Sequence, residues 1–224
     1  EASDNTAVGV NSMASHTGGV KNVAVGGSSL TNSVNTAEQT AVGYQALKNS
    51  VGAGGGGGNT ALGYASMRDT TTGVYNTALG YAAAYDGVLT GNYNTFVGAL
   101  AGRNLAGDED LSTFLGHGSG SLMTSGEKNV ILGSYNGNQG GLNIIGSDGN
   151  IVLSDGDGNP RAFYKSNTGD AAWNFNSPIN NQYAFYVKNT TSDSAPYGNF
   201  VQFTAVAPNN TTSVFYGASD NSAA

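Results

Sequence analysis

The sequence predicts an all-β fold: a parallel β-solenoid, or β-roll, with coils of about 17 residues over residues 1–146, followed by a short-stranded β region over residues 147–224. Three observations support this prediction. A short phrase recurs at near-constant spacing, and the positions inside the phrase keep their chemical character. The composition, with 35 Gly among 224 residues and only 10% charged residues, suits tight turns between short strands.

The recurring phrase is clearest as NTALG, which is written twice, ending at Gly63 and at Gly80. Near-copies bring the total to nine, and the intervals between successive glycines are 17, 17, 20, 17, 18, 18, 17 and 13 residues. A fixed short period indicates structural units stacked on one another. The nine glycines are Gly9, Gly26, Gly43, Gly63, Gly80, Gly98, Gly116, Gly133 and Gly146.

Each phrase predicts one short strand that begins at a turn. The residue before the glycine is always Val, Leu or Ile, and Asn most often stands four residues before it. Branched apolar residues favour strands, and Asn favours turns. A helical hairpin repeat needs more than about 30 residues and tolerates little glycine, so two short strands and two turns per coil are expected instead.

Alternation along a strand places successive side chains on opposite faces. We expect the Val/Leu column, with the Thr column two residues earlier, to face the interior of the coil. The small Ala column is expected to face other copies of the chain, which predicts a homotrimer. In later copies this column holds Phe96, Phe114, Ile131 and Ile144, which predicts a change of cross-section.

Composition excludes several classes of partner. The net charge is −7 and only eight basic residues are present, so we expect no nucleic-acid partner. No run of about 18 apolar residues occurs, so membrane insertion is not expected. Cysteine is absent, which is compatible with an extracellular repeat protein. The chain begins inside the pattern at Glu1, which suggests a segment of a longer protein.

Aromatic residues concentrate in the second region. Residues 160–216 contain 12 of the 21 aromatics, in alternating runs separated by Asn, Gly and Pro that predict short strands. Most of these rings are interpreted as core. A few are expected to be exposed and to stack on sugar rings. The candidate receptor-binding residues are Trp173, Tyr183, Tyr186 and Tyr197.

Two Gly-rich stretches resemble ligand-binding loops. The stretch VGAGGGGG, residues 51–58, lacks a following Gly-Lys-Ser/Thr, so it is interpreted as a flexible or packed loop and not a phosphate site. Asp155, Asp157 and Asn159 have the spacing that opens a calcium loop, but Ser166 stands where its glutamate is required. A hairpin turn is therefore preferred there.

The remaining candidate groups are acidic or imidazole side chains in the repeats. Asp108, Glu109 and Asp110 include carboxylates of the kind that hydrolyse glycosidic bonds, but are interpreted as a solvated loop. His16 and His117 have no partner at metal-ligand spacing and are interpreted as loop or packing residues. We expect no catalytic residue, no metal and no cofactor.

The phrase N-T-A-V/L-G-Y-x-A/S-L/M resembles the head repeats of trimeric autotransporter adhesins, which form a left-handed parallel β-roll as an intertwined trimer. It resembles still more closely the repeats in tail fibres and tailspikes of marine bacteriophages. The likeness covers residues 5–146 and is shared between the two groups.

The second region also looks like phage fibres. Residues 146–167, GSDGNIVLSDGDGNPRAFYKSN, are similar to the passage between the shaft and a carboxy-terminal intramolecular chaperone. Residues 189–224 look like the β segments that precede the chaperone. The Lys-rich chaperone helix itself is absent, which the resemblance associates with self-cleavage. No heptads of an adhesin stalk are present.

These observations predict the structural and receptor-binding segment of a trimeric phage tail fibre. It would be extracellular, on the virion, and would attach to a host cell-surface glycan or protein through several weak sites. One alternative is the head domain of a bacterial trimeric autotransporter adhesin, located on the bacterial cell surface. Another is a tailspike that depolymerises polysaccharide, and only this one is an enzyme.

Overall fold

A computed structural model describes residues 3–51, 57–166 and 172–175, and every regular element in these ranges is a β-strand. The first eight strands have three residues each and coincide with the recurring phrase. They are β1 (Thr6–Val8), β2 (Val23–Val25), β3 (Thr40–Val42), β4 (Thr60–Leu62), β5 (Thr77–Leu79), β6 (Thr95–Val97), β7 (Thr113–Leu115) and β8 (Val130–Leu132).

The eight strands form one parallel sheet in which each strand pairs with the next along the chain. Equivalent residues lie opposite one another, so that Ala61 of β4 pairs with Ala41 of β3 and with Ala78 of β5. The strands begin 17, 17, 20, 17, 18, 18 and 17 residues apart, so one coil takes about 18 residues. The predicted parallel β-solenoid is confirmed for this part of the chain.

The other side of each coil differs from the prediction, because no second strand forms there in the described residues. The segment after the phrase glycine still hydrogen-bonds to the next coil: the Leu47 N–H donates to the Ser66 carbonyl at 3.0 Å, and the Met67 N–H to the Ala83 carbonyl at 2.8 Å. The φ angles of 48° at Leu47 and 49° at Met67 are left-handed, which is incompatible with a strand.

The sheet continues beyond the repeats. β9 (Asn138–Gln139) and β10 (Leu142–Asn143) form a separate antiparallel hairpin. β11 (Ile151–Ser154) pairs in parallel with β8, and β12 (Pro160–Lys165) and β13 (Ala172–Phe175) follow antiparallel. The ninth phrase therefore supplies no strand of the main sheet, and the strand stacked on β8 is β11.

The two faces of the strands are reversed relative to the prediction. The central residues from Ala24 to Ile131 are fully buried, whereas the Val/Leu column is partly or largely exposed, with Val8 at 57% and Leu62 at 47%. In the coils of β2, β3 and β4 the interior already contains the side chain of the residue four after the glycine, which leaves room there only for a small central residue. Buried residues of this kind include Leu30, Leu47 and Met67.

The glycine that ends each phrase is required by the close approach of successive coils. At Gly63, φ is 138°, and a Cβ there would lie 2.2 Å from the carbonyl oxygen of Gly80. The next contact is similar, since a Cβ on Gly80 would lie 2.5 Å from the Gly98 oxygen. No side chain fits between these backbones.

A ladder of buried asparagines links the coils at the start of each strand. Asn22 accepts a hydrogen bond from the Gln39 N–H at 2.9 Å and donates to the Thr36 carbonyl at 2.8 Å. Asn59 likewise accepts from the Asn76 N–H at 2.8 Å. Gln39 is the exception, because its buried Oε1 has no hydrogen-bond partner. The ladder is therefore interrupted where the one 20-residue coil begins.

Candidate binding surfaces

The outward side chains of the solenoid sheet form an apolar ladder. The first and third residues of each strand face outward: the first is Thr or Val, and the third is Val or Leu. No charged residue occupies either outward position in β1–β8. The exposed fraction is 57% at Val8, 47% at Leu115 and 37% at Leu132, and Val42 and Val97 are half-buried. A contiguous exposed apolar strip of this kind is typical of an association surface. We call the following residues the apolar ladder: Val8, Val25, Val42, Leu62, Leu79, Val97, Leu115 and Leu132.

Beside the apolar ladder, three tyrosines stack on one another along the solenoid. Tyr44, Tyr64 and Tyr81 each follow the phrase glycine, and their ring centroids are 5.6 Å and 5.1 Å apart with interplanar angles of 19° and 10°. All three are about half exposed. We call them the tyrosine ladder. Such a platform offers aromatic surface at low entropic cost.

A cleft lies at the carboxy-terminal end of the tyrosine ladder. Its volume is about 330 Å³. Ala82, only 3% exposed, is among its lining residues. The lining consists of Tyr64, Tyr81, Ala82, Tyr85, Leu100 and Arg103.

Two arginines near this cleft are held by neighbouring carboxylates: Arg103 lines the cleft, and Arg68 contacts the lining residue Tyr85. The Arg68 Nε donates to Asp69 Oδ2 at 2.9 Å, and this hydrogen-bonded carboxylate raises the pKa of Arg68. The Arg68 guanidinium also lies 3.9 Å from the centroid of the Tyr85 ring and donates to the Tyr85 hydroxyl. Arg103 Nε donates to Asp86 Oδ2 at 2.6 Å. The charges around the cleft are therefore paired.

Only one of the four predicted receptor-binding residues lies within the described residues. Trp173, in β13, is 49% exposed, and its ring centroid is 5.9 Å from that of Tyr164. Its role in binding stays a prediction. The other three predicted residues, Tyr183, Tyr186 and Tyr197, lie outside the described residues, as do residues 52–56 of the Gly-rich loop.

The predicted hairpin turn is confirmed between β11 and β12. Asp155 Oδ1 accepts from the Asn159 N–H at 2.8 Å and from the Asp157 N–H at 3.1 Å, while Oδ2 pairs with Arg161. The hydrogen bond from the Asn159 backbone lowers the pKa of Asp155. Among residues 3–51, 57–166 and 172–175, no three His, Cys, Asp or Glu side chains are grouped for a metal ion.

The acidic loop is not uniformly solvated, which corrects the interpretation for Glu109. Its side chain is buried, both carboxylate oxygens lack a hydrogen-bond partner, and burial raises its pKa. Asp108 is exposed, whereas Asp110 accepts from the Asn92 N–H at 2.6 Å. The three carboxylates therefore have different environments.

The two histidines are also separate. The His16 ring nitrogens lie 3.2 Å from the Ser33 carbonyl oxygen and 3.0 Å from that of Gly19, which matches a packing role. His117 is exposed at the column position that tyrosine occupies in other coils.

Comparison with protein-family models, curated proteins and solved structures found no match to this chain. In the described part of the chain no helix has the length and apolar character needed to cross a bilayer.

The sequence contained a signal for the tyrosine ladder that the site prediction did not use. Tyrosine follows the phrase glycine in three successive copies, at Tyr44, Tyr64 and Tyr81. In a parallel in-register sheet, residues at one column position are separated only by the strand spacing of about 4.8 Å. Equivalent aromatic rings must therefore stack.

Proposed function

We propose that this chain is the structural and receptor-binding segment of a homotrimeric bacteriophage tail fibre, which attaches the virion to a host cell surface. The observation that supports it most is the apolar ladder, an uncharged exposed strip that follows the solenoid sheet from Val8 to Leu132. A rigid stack of coils with such a strip is suited to packing alongside copies of itself.

The association is argued from the repeat of the ladder. Eight rungs at about 4.8 Å extend over roughly 34 Å, and a parallel copy of the chain presents its rungs at the same interval. Each rung that becomes buried contributes on the order of 1 kcal/mol. Three copies around one axis would cover the ladder of every chain, and a homotrimer is the assembly we propose.

Attachment would depend on multivalency. Exposed aromatic groups occur on the solenoid, at the tyrosine ladder, and at Trp173 in β13. Three identical chains would present each weak site three times, and linked weak sites raise the overall affinity by factors of about 10² to 10⁴.

The assembly is tested by the native mass from light scattering, before and after heating in detergent. We expect three times 22.6 kDa for the chain. The double variant Leu62→Lys, Leu79→Lys places two charges on the apolar ladder and should give monomers. Val88→Lys is the control, because Val88 is 52% exposed but lies outside the ladder. A monomeric unmodified chain would refute the trimer.

The location is tested separately. Antibodies to the chain should label the distal tails of purified virions in electron microscopy. Labelling of bacterial cells instead would support the adhesin alternative, and reducing ends released from capsule would support the depolymerase alternative.

A further inference from the structure

The tyrosine ladder ends abruptly at Tyr81. One face of its ring is covered by Tyr64, at a centroid distance of 5.1 Å. The next coil has Ala99 at the equivalent position, and His117 follows one coil further along the column. Tyr81 is accordingly the most exposed of the three rings, at 58%. Since one coil rises about 4.8 Å, the column leaves room for one further ring.

The cleft described above opens at this point. Tyr64 comes from the β4 coil and Tyr81 and Tyr85 from the β5 coil. Leu100 and Arg103 come from the coil of Ala99, which does not itself line the cleft. Its volume of about 330 Å³ is within the range of small-ligand sites. The combination of an aromatic face, one aliphatic wall and a few polar groups suits a ring that is apolar on its faces and polar at its edge.

The polar groups at the cleft are held in place before any ligand arrives. Arg68 binds both Asp69 and the Tyr85 hydroxyl, so the Tyr85 ring is fixed from behind. Arg103, whose Nε is paired with Asp86, lines the cleft and supplies guanidinium N–H donors for the hydroxyl oxygens of a ligand. Because each arginine is already paired with a carboxylate, an uncharged ligand is favoured.

We propose that this cleft binds a neutral hexopyranose ring of a glycan. The C–H face of the sugar packs on the aromatic wall that Tyr81 contributes to the cleft, and its hydroxyls bind Arg103. This assignment names the ligand class for the attachment role, and its biological meaning rests on the proposed function.

Two variants test the site from opposite directions. Tyr81→Ala removes an aromatic wall of the cleft, and Ala99→Tyr adds a ring next to Tyr81 in the ladder. Both residues occur naturally at this column position, so both variants are compatible with the fold. Tyr44→Ala is the matched control, because it removes the ring at the far end of the same ladder.

The probe is a printed array of neutral oligosaccharides of glucose, galactose, mannose and N-acetylhexosamines, with uronic acid and sialic acid glycans as a second arm. The full chain in its native assembly should bind neutral glycans. Tyr81→Ala and Ala99→Tyr should each bind about tenfold more weakly, and Tyr44→Ala within about twofold.

Three results would overturn the assignment. They are no binding to any neutral glycan, equal binding by all variants, and Tyr81-dependent binding to acidic glycans alone. Light scattering on the same samples separates this outcome from the fibre proposal. A trimer without glycan binding removes the cleft assignment only, whereas a monomer that binds through Tyr81 removes the homotrimer and leaves the cleft.

Discussion

The coils of β3 and β6 fill their interiors in opposite ways, although each strand pairs with the strand before it in the same register. In the β3 coil the strand centre is Ala41 and the corner, four residues after the glycine, is Leu47. In the β6 coil the strand centre is Phe96 and the corner is Gly102, where a Cβ would lie 2.8 Å from the Phe96 ring. The coil with the larger residue at the strand centre therefore has the smaller residue at the corner.

Between these two coils the interior is filled from different positions, whereas the β5 coil has a small residue at both, Ala78 and Ala84. Each way of filling the interior has its own cost. Leu47 has a φ of 48°, and a left-handed backbone costs a non-glycine residue about 1–2 kcal/mol. Gly102 adopts its φ of 61° without that strain but adds entropy to the unfolded chain. Phe96 and Phe114 also pack together, with centroids 5.6 Å apart.

The largest expected effect comes from emptying a coil of the Phe type. Phe114→Ala leaves both the strand centre and Gly120 without a side chain, so no neighbour in the coil fills the space. We expect a loss of about 3–5 kcal/mol in the free energy of unfolding. Urea denaturation checks this, and Leu122→Ala, at a residue 42% exposed, is the control. A loss below about 1 kcal/mol would show that the coil collapses around the gap.

A double-mutant cycle tests the exchange of volume directly. Ala61→Phe alone should overpack the β4 coil by about 1–3 kcal/mol, because Met67 already fills it. Adding Met67→Gly should recover part of that loss, with a coupling of about 1 kcal/mol or more. Strictly additive effects in thermal unfolding would contradict the comparison.

The asparagine ladder gives a smaller, reciprocal pair of changes. Gln39→Asn should restore the hydrogen bond that the buried Oε1 lacks and stabilise the chain by about 1 kcal/mol. Asn76→Gln should destabilise it by a similar amount, because Asn76 accepts from the Asn94 N–H at 2.9 Å. Differential scanning calorimetry of both variants measures the two shifts. Shifts of the same sign would rule out the ladder as the cause.

The smallest effect concerns pH. Burial raises the pKa of Glu109 above its ordinary value of 4.5, so the protonated carboxyl is favoured in the folded chain. Stability is therefore greatest below the unfolded pKa and falls as pH rises through the folded pKa. Glu109→Gln should flatten the decline of Tm between pH 4 and pH 8, and Asp108→Asn, at an exposed residue, should not. An unchanged Tm profile in the Glu109 variant would contradict this.

The period and register of the fold could be predicted from the sequence because a column of like residues must stack. The choice of face could not, since alternation separates Ala61 from Leu62 without saying which is inside. That choice depends on how much space Met67 already takes. The prediction of a ninth repeat strand at LNIIG was wrong. This phrase has Leu142 where most copies have Asn, and Leu142 lies in the β9–β10 hairpin.

The candidate site was predicted less well than the fold. The aromatic content around Trp173 drew attention to the second region, and Trp173 is indeed half exposed. The cleft at Tyr81 is lined by side chains from three successive coils, and the sequence alone does not show that they meet there.

Because β4 and β5 pair through equivalent residues, the junction between two coils is the same wherever like coils meet. Duplicating residues 60–76 in the gene would insert one complete coil and lengthen the solenoid by about 4.8 Å without a new kind of contact. The length of the solenoid is therefore set by the number of coil copies in the gene. A coil with Phe at the strand centre does not match its neighbours when it is inserted among coils with Ala there. Growth by duplication is therefore confined to each half of the solenoid.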